Sequence, residues 1–334
     1  MGDRENVAVL GEERPPPAAG AAGAAPAGAP PGTHGGTAAG LLAVPAGLVR
    51  TARPRQWVKN LLVLAAPAAA GELDSPRVLA ELAAVLVVFV CASSAVYLVN
   101  DARDAKADRA HPAKCRRPVA SGQVPVAVAY GTGAVLAVLA PAAAALLCNA
   151  ATAAAVGGYV VLQLAYCMAL KQVLVVDLAV VASGFLVRAV AGGFAAGVPL
   201  SRWFLVTAGF GALFMVSAKR YSELVALAGL SGETRPLLTS YTPGYLRFVW
   251  QLAAGGMVLA YCLWALEGGA PAGGEPVPWR QLSVVPFLLA VLRYAVFADR
   301  AGAGSPEDIV LRDRPLLCTA LAWTVLYGLA VAGV

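Results

Sequence analysis

The sequence predicts an all-α integral membrane protein with nine spanning helices, and three observations carry that prediction. Of its 334 residues, 59% are apolar and 13% charged, with a mean hydropathy of +0.70, far above that of a water-soluble domain. The apolar residues are gathered into stretches of about twenty, the length a helix needs to cross roughly 30 Å of hydrocarbon. Lysine and arginine are concentrated on every second connection between those stretches, as in short loops retained on one side of a membrane.

Taken in order, residues 1–45 hold Ala, Gly and Pro with a few charges. They bury too little apolar surface to offset chain entropy, and a disordered tail is expected there. No basic segment followed by an apolar run and a cleavage site marks a signal peptide. One transmembrane domain is expected over 46–334. The first span is expected at 58–71, short and kinked by Pro67, and the next four at 78–99, 126–147, 149–169 and 173–198. Four more follow at 203–218, 249–266, 282–298 and 315–333; the first and the sixth are the shortest or richest in glycine. If the segment before the first span and the loops after the even-numbered spans share a side, that side holds nineteen of the 25 basic residues. The opposite side holds Arg77, Arg202 and Arg280. The N-terminus is therefore expected in the cytoplasm and the C-terminus outside, in an inner membrane. The long polar loops at 100–125 and 217–248 fall on the cytoplasmic side, where soluble substrates are available.

Composition also narrows the chemistry. The two histidines, His34 and His111, are isolated, which argues against His-based metal sites and His-dependent catalytic triads. The six cysteines form no C-x-x-C pair and mostly sit in apolar runs, where cysteine behaves as a small hydrophobe. Catalysis must then rest on carboxylates and cations, and no nucleic-acid partner is expected.

The second span ends in Asn100-Asp101-Ala-Arg-Asp104-Ala-Lys-Ala-Asp108. On a continued helix, spacings of three and four place Asp101, Asp104 and Asp108 on one face. Like charges so placed repel unless cations lie between them. Magnesium suits the position, because it takes oxygen ligands and is commonly held by one or two carboxylates plus substrate phosphate oxygens. Asn100 would serve as a neutral ligand or orienter. In the alternative, Arg103, Lys106 and Arg109 neutralise the aspartates at a solvated helix end. A basic run follows at once, with Lys114, Arg116 and Arg117 ahead of Pro118; a purely topogenic loop would also carry such cations, but does not require the flanking prolines that stiffen it.

At these residues the chain resembles the UbiA superfamily of intramembrane prenyltransferases, whose first motif is an N-D-x-x-D-x-x-x-D run after the second helix. Arg53-Pro-Arg-Gln-Trp57-Val-Lys59-Asn60, the run from Tyr97 through Pro118, Lys219-Arg220-Tyr221-Ser-Glu223 and Pro306 through Arg314 are similar to one branch, the decaprenyl-phosphate phosphoribosyltransferases of actinobacteria. The resemblance covers about 46–334. It implies nine helices around a central cavity opening to the cytoplasm, magnesium as cofactor, and transfer of 5-phosphoribose from phosphoribosyl diphosphate to a polyprenyl phosphate. The product would lead toward arabinan in the cell wall. Ordinary superfamily members carry a second aspartate-rich motif after the sixth helix, and here that place reads Lys219-Arg220-Tyr221-Ser222-Glu223. One acidic and one basic platform suit substrates with several phosphate groups. Cys115 departs from the branch, at a place where a larger or basic residue is expected.

The expected site is therefore Asn100, Asp101 and Asp104 for catalysis and Asp101, Asp104 and Asp108 for metal. Substrate phosphates are expected at Arg55, Lys59, Lys114, Arg116, Arg117, Tyr166, Lys171, Arg188, Lys219, Arg220, Tyr221 and Glu223. Arg55 and Lys59 also suit an interfacial anchor around Trp57, and Lys171 a topogenic charge. Arg188 lies within a span, where a cation normally faces a cavity or a partner; Asp177, about 16 Å away along the helix, is too far for a direct pair. Gly184, Gly192 and Gly193 suit helix packing. The sequence also admits two other readings. A conventional prenyltransferase acting on an aromatic acceptor calls for the missing second acidic motif, and a lipid transporter calls for inverted repeats that are not evident. Homo-oligomerisation is left open.

Overall fold

The computed structural model describes residues 38–227, 240–267, 277–304 and 306–332, and among these the regular structure is entirely helical. Helix α1 (Ala38–Thr51) is followed by a 3₁₀ segment (Pro54–Leu64) that runs into the short α2 (Ala65–Ala70). Then come α3 (Pro76–Ala110), α4 (Val126–Leu147), α5 (Ala150–Met168), α6 (Val176–Ala195), α7 (Arg202–Leu227), α8 (Pro243–Glu267), α9 (Trp279–Asp299), α10 (Pro306–Arg312) and α11 (Arg314–Ala332).

Helical structure lies at each of the nine expected spans, but seven helices among the described residues, α3 to α6, α8, α9 and α11, are long and apolar enough to cross a membrane. The first expected span is broken into the 3₁₀ segment and α2. The sixth, α7, ends in Lys219, Arg220 and Glu223, and this polar last third dilutes its hydropathy. The expected loop at 217–248 is largely helix at its two ends, since α7 continues to Leu227 and α8 begins at Pro243. Helix α1 also starts inside the stretch expected to be a disordered tail, and residues 1–37 lie outside those described.

Local chemistry sets the helix ends that matter. Pro76 opens α3, its missing N–H and fixed φ suiting the first turn. Asn149 caps α5 by accepting from the Thr152 N–H at 2.8 Å. Helix α6 begins after Val175, whose φ of 68° and ψ of −45° are rare for a β-branched residue and resemble a tight γ-turn.

The packing centres on α6. Its Leu178 and Ala182 join a buried cluster with α7, α8, α9 and α11, while Ala191 and Ala195 join another with α3, α4 and α5. Gly192 permits the closest approach: a Cβ there would lie 1.7 Å from the Val63 carbonyl oxygen, so the 3₁₀ segment rests its backbone directly on α6. At Gly193 a Cβ would meet the Leu200 side chain at 2.5 Å and at Gly184 the Gln163 amide at 2.7 Å. These glycines serve packing, as the sequence suggested.

Candidate active site

Helix α3 carries the acidic motif on its last turns, and its continuation to Ala110 keeps the three aspartates in helical register. Each is met by a cation from a different part of the chain. Arg53 Nη2 lies 2.6 Å from Asp101 Oδ1, Arg117 Nη1 bridges Asp101 and Asp108 at 3.3 and 2.8 Å, and Lys171 Nζ lies 2.7 Å from Asp104 Oδ1. The neighbours Arg103 and Arg109 instead donate to the backbone carbonyls of Met168 and Ala120. The aspartates are thus compensated across the fold rather than along their own helix.

Asn100, Asp104 and Asp108 face a cavity of about 610 Å³. Asp177, at the start of α6, completes its carboxylates. Arg53, Lys114, Arg117, Lys171 and Arg220 line the same cavity, so five cations stand against three carboxylates. That surplus suits a ligand with several negative charges. A second cavity of about 670 Å³ is walled by apolar side chains such as Leu62, Phe185, Leu186, Phe204 and Met215, with Lys59, Lys219, Arg220 and Glu223 on its lining. Tyr166 and Arg220 line both cavities and form their common wall.

Several expected residues stand elsewhere. Asp101 is 2% exposed and lines neither cavity; its carboxylate is occupied by Arg53 and Arg117 behind the polar cavity. Arg55 and Arg116 are exposed and line neither cavity. Arg188, expected near phosphate, is enclosed in the bundle: Nε donates to Asn60 Oδ1 at 2.8 Å, Nη1 to the Gly184 carbonyl at 2.6 Å and Nη2 to the Tyr159 hydroxyl at 2.9 Å. Its guanidinium also sits over the rings of Tyr159 and Phe89. Tyr221 is buried, and its hydroxyl accepts from Arg247 Nη2 at 2.7 Å, an arrangement that ties α7 to α8.

Arg53, Asp177 and Tyr241 are among the cavity residues that the sequence does not single out for substrate. Arg53 adopts φ 58° and ψ 66° immediately before Pro54, a left-handed conformation that turns its side chain toward Asp101 and the Tyr97 ring. The signal for Asp177 was an acid inside an apolar run. Tyr241 lies far along the chain, and only the fold brings its hydroxyl to Asp177 Oδ1. Burial, reinforced by that hydrogen bond, pushes the Tyr241 hydroxyl far above the ordinary tyrosine value.

The donor set can be tested for a divalent cation. Among the described residues no three His, Cys, Asp or Glu side chains are gathered closely enough to hold an ion by themselves. Asp104 and Asp108 with Asn100 nonetheless offer oxygen ligands on a cavity large enough for a phosphate-bearing partner, which fits a magnesium ion that arrives with its substrate and retains waters.

The UbiA prenyltransferase family profile matches residues 61–308. A decaprenyl-phosphate phosphoribosyltransferase of Mycobacterium tuberculosis is 50% identical over 292 residues, covering 86% of this chain and 95% of the relative. One from Corynebacterium glutamicum is 46% identical over 288 residues, covering 85% and 86%. Among solved structures, a UbiA homolog from Archaeoglobus fulgidus bound to GPP and Mg2+ superimposes with a TM-score of 0.64 at 19% identity, over 86% of this chain and 100% of that structure.

Proposed function

Because this chain belongs to the UbiA prenyltransferase family, we propose that it transfers 5-phosphoribose from phosphoribosyl diphosphate to a polyprenyl phosphate in the membrane, releasing diphosphate. One observation carries the proposal: a cation-rich cavity and an apolar groove meet at Arg220 and Tyr166. The polar cavity takes the sugar with its 5-phosphate and diphosphate. The groove takes the proximal part of the lipid chain, with the lipid phosphate directed toward the common wall.

The reaction breaks the bond between C1 of the ribose and the diphosphate oxygen, and a lipid phosphate oxygen forms the new bond at C1. Positive charge builds on the ring while negative charge builds on the leaving group. Magnesium, held through Asp104 and Asp108 with Asn100, would neutralise the departing diphosphate. Lys114, Lys171 and Arg117 supply charge-assisted hydrogen bonds to phosphate oxygens. Lys171 and Arg117 lie in ion pairs with Asp104 and Asp108, so phosphate binding exchanges one anionic partner for another. The acceptor phosphate is already ionised at neutral pH and needs no general base. The product suits a lipid-linked pentose donor for cell-wall arabinan. We place the polar cavity on the cytoplasmic side, on the strength of the asymmetric distribution of lysine and arginine.

The deciding experiment offers radiolabelled phosphoribosyl diphosphate with polyprenyl phosphate, and separately a prenyl diphosphate with an aromatic acid, to membranes holding the protein, each with and without magnesium. A magnesium-dependent phosphoribosyl lipid is the expected product. A prenylated aromatic acid would replace this reading with ordinary prenyl transfer.

A further inference from the structure

An anionic head entering from the apolar groove reaches the polar cavity past the Arg220 guanidinium, since Arg220 lines both. A flexible arginine would sweep that boundary unless held. Two carboxylates hold it: Glu223 Oε2 accepts from Nη1 at 2.9 Å, and Asp177 Oδ2 stands 3.7 Å from Nε. Arginine carries five N–H donors, more than these two contacts engage. Asp177 is itself fixed. It is 2% exposed, its Oδ1 accepts from the Tyr241 hydroxyl, and that hydroxyl accepts from the Val175 N–H at 2.7 Å. The last contact anchors Tyr241 to the tight turn that opens α6.

We propose that Tyr241 and Asp177 are positioning residues that brace Arg220, aiming its guanidinium at the phosphate of a lipid phosphate whose chain lies in the groove. The identity of that ligand rests on the function proposed above. The elevated proton affinity of the Tyr241 hydroxyl keeps it a donor to Asp177 throughout the neutral range. Tyr241 stands on the polar cavity, but its hydroxyl is engaged by Asp177 and the Val175 N–H, so it acts through Asp177 and Arg220.

The test measures binding of farnesyl phosphate, and separately of inorganic diphosphate with magnesium, to the purified full-length protein in lipid nanodiscs. It compares wild type, Tyr241→Phe, Arg220→Lys and the double variant. Tyr241→Phe is expected to weaken farnesyl phosphate about tenfold, the effect of disturbing one charge-assisted contact, and to leave diphosphate within about twofold. The double variant is expected to bind farnesyl phosphate no worse than Arg220→Lys alone, because coupled residues are non-additive. Unchanged farnesyl phosphate binding in Tyr241→Phe, an equal loss for diphosphate, or additive losses would each overturn the brace. If Tyr241→Phe does not fold, Asp177→Asn carries the same comparison with the same expected direction. A wild type that binds farnesyl phosphate yet forms no phosphoribosyl lipid would remove the proposed activity while leaving the brace to stand on the binding data.

Discussion

Arg188 and Asp104 illustrate how differently two charged residues can be employed. The Arg188 guanidinium is satisfied by an amide, a carbonyl, a phenol and two aromatic rings. Removing it leaves Asn60 and Tyr159 with unmet polar atoms, each costing about 1–3 kcal/mol when buried. Arg188→Met should therefore lower the thermal midpoint of the detergent-solubilised protein, while the surviving folded fraction keeps its affinity for diphosphate. Asp104 is partly exposed on the cavity, paired with Lys171. Asp104→Ala should abolish transfer, by at least about a hundredfold, with little change in melting temperature; retained activity would remove the acidic platform from the mechanism. Asp101→Ala should cost both activity and about 1–3 kcal/mol of stability, because it leaves Arg53 and Arg117 short of their shared anion. For Tyr241, the raised hydroxyl value has a definite sign. The neutral form is favoured by folding, so its contribution is complete below about pH 10 and is lost as pH rises beyond that ordinary value. A rate profile between pH 6 and 9 should show no limb that Tyr241→Phe removes.

Among the elements, the 3₁₀ segment and α6 form the pair on which the groove depends. Lys59 and Leu62 reach the groove from the first and Phe185 and Ala189 from the second, and the two backbones touch at Gly192 and Val63. Gly192→Ala should force them apart, at a cost of about 1–3 kcal/mol or more for overpacking. Its readouts are a lower thermal midpoint and weakened farnesyl phosphate binding, and a variant with wild-type values for both would contradict the contact. The helices themselves were legible in the sequence, because apolar length and flanking charge register directly in composition. The break of the first span into 3₁₀ was less so. Its short apolar run and Pro67 were visible, but not the Asn60–Arg188 bond that ties the segment to α6 across 128 residues. The candidate site was legible only where it is local: of the face read as Asp101, Asp104 and Asp108, the last two line the cavity, with Asn100 beside them in place of Asp101. Arg53, Asp177 and Tyr241 were missed because only long-range packing brings them together, and the partners of Arg188 were not legible because an intramembrane cation looks the same whether it meets a ligand or an amide.

At the scale of the whole molecule, apolar side chains close the helix clusters, and Asp104 and Asp108, which would hold the ion, stand on a cavity outside them. Chelation of divalent cations should accordingly stop transfer while shifting the thermal midpoint by no more than about 2 °C, since a ligand that contributes little to the folded state adds little stability. A large drop would assign the ion a structural role. A chain lacking residues 1–37 should retain transfer, because α1, starting at Ala38, is tied to the rest of the fold by Gln123 donating to the Ala43 carbonyl and accepting from Arg50. Loss of activity with intact folding would give the tail a catalytic part.

The common wall of Arg220 and Tyr166 divides a compartment open to water-borne anions from one suited to hydrocarbon. Under the proposed activity, one reactant is sampled in three dimensions and the other by lateral diffusion in two. Saturation by the sugar donor then follows its molar concentration, whereas saturation by the acceptor follows its mole fraction in the bilayer. Adding inert phospholipid at constant total acceptor would slow turnover by surface dilution, and the spent diphosphate and the lengthened lipid would leave by separate exits into separate phases.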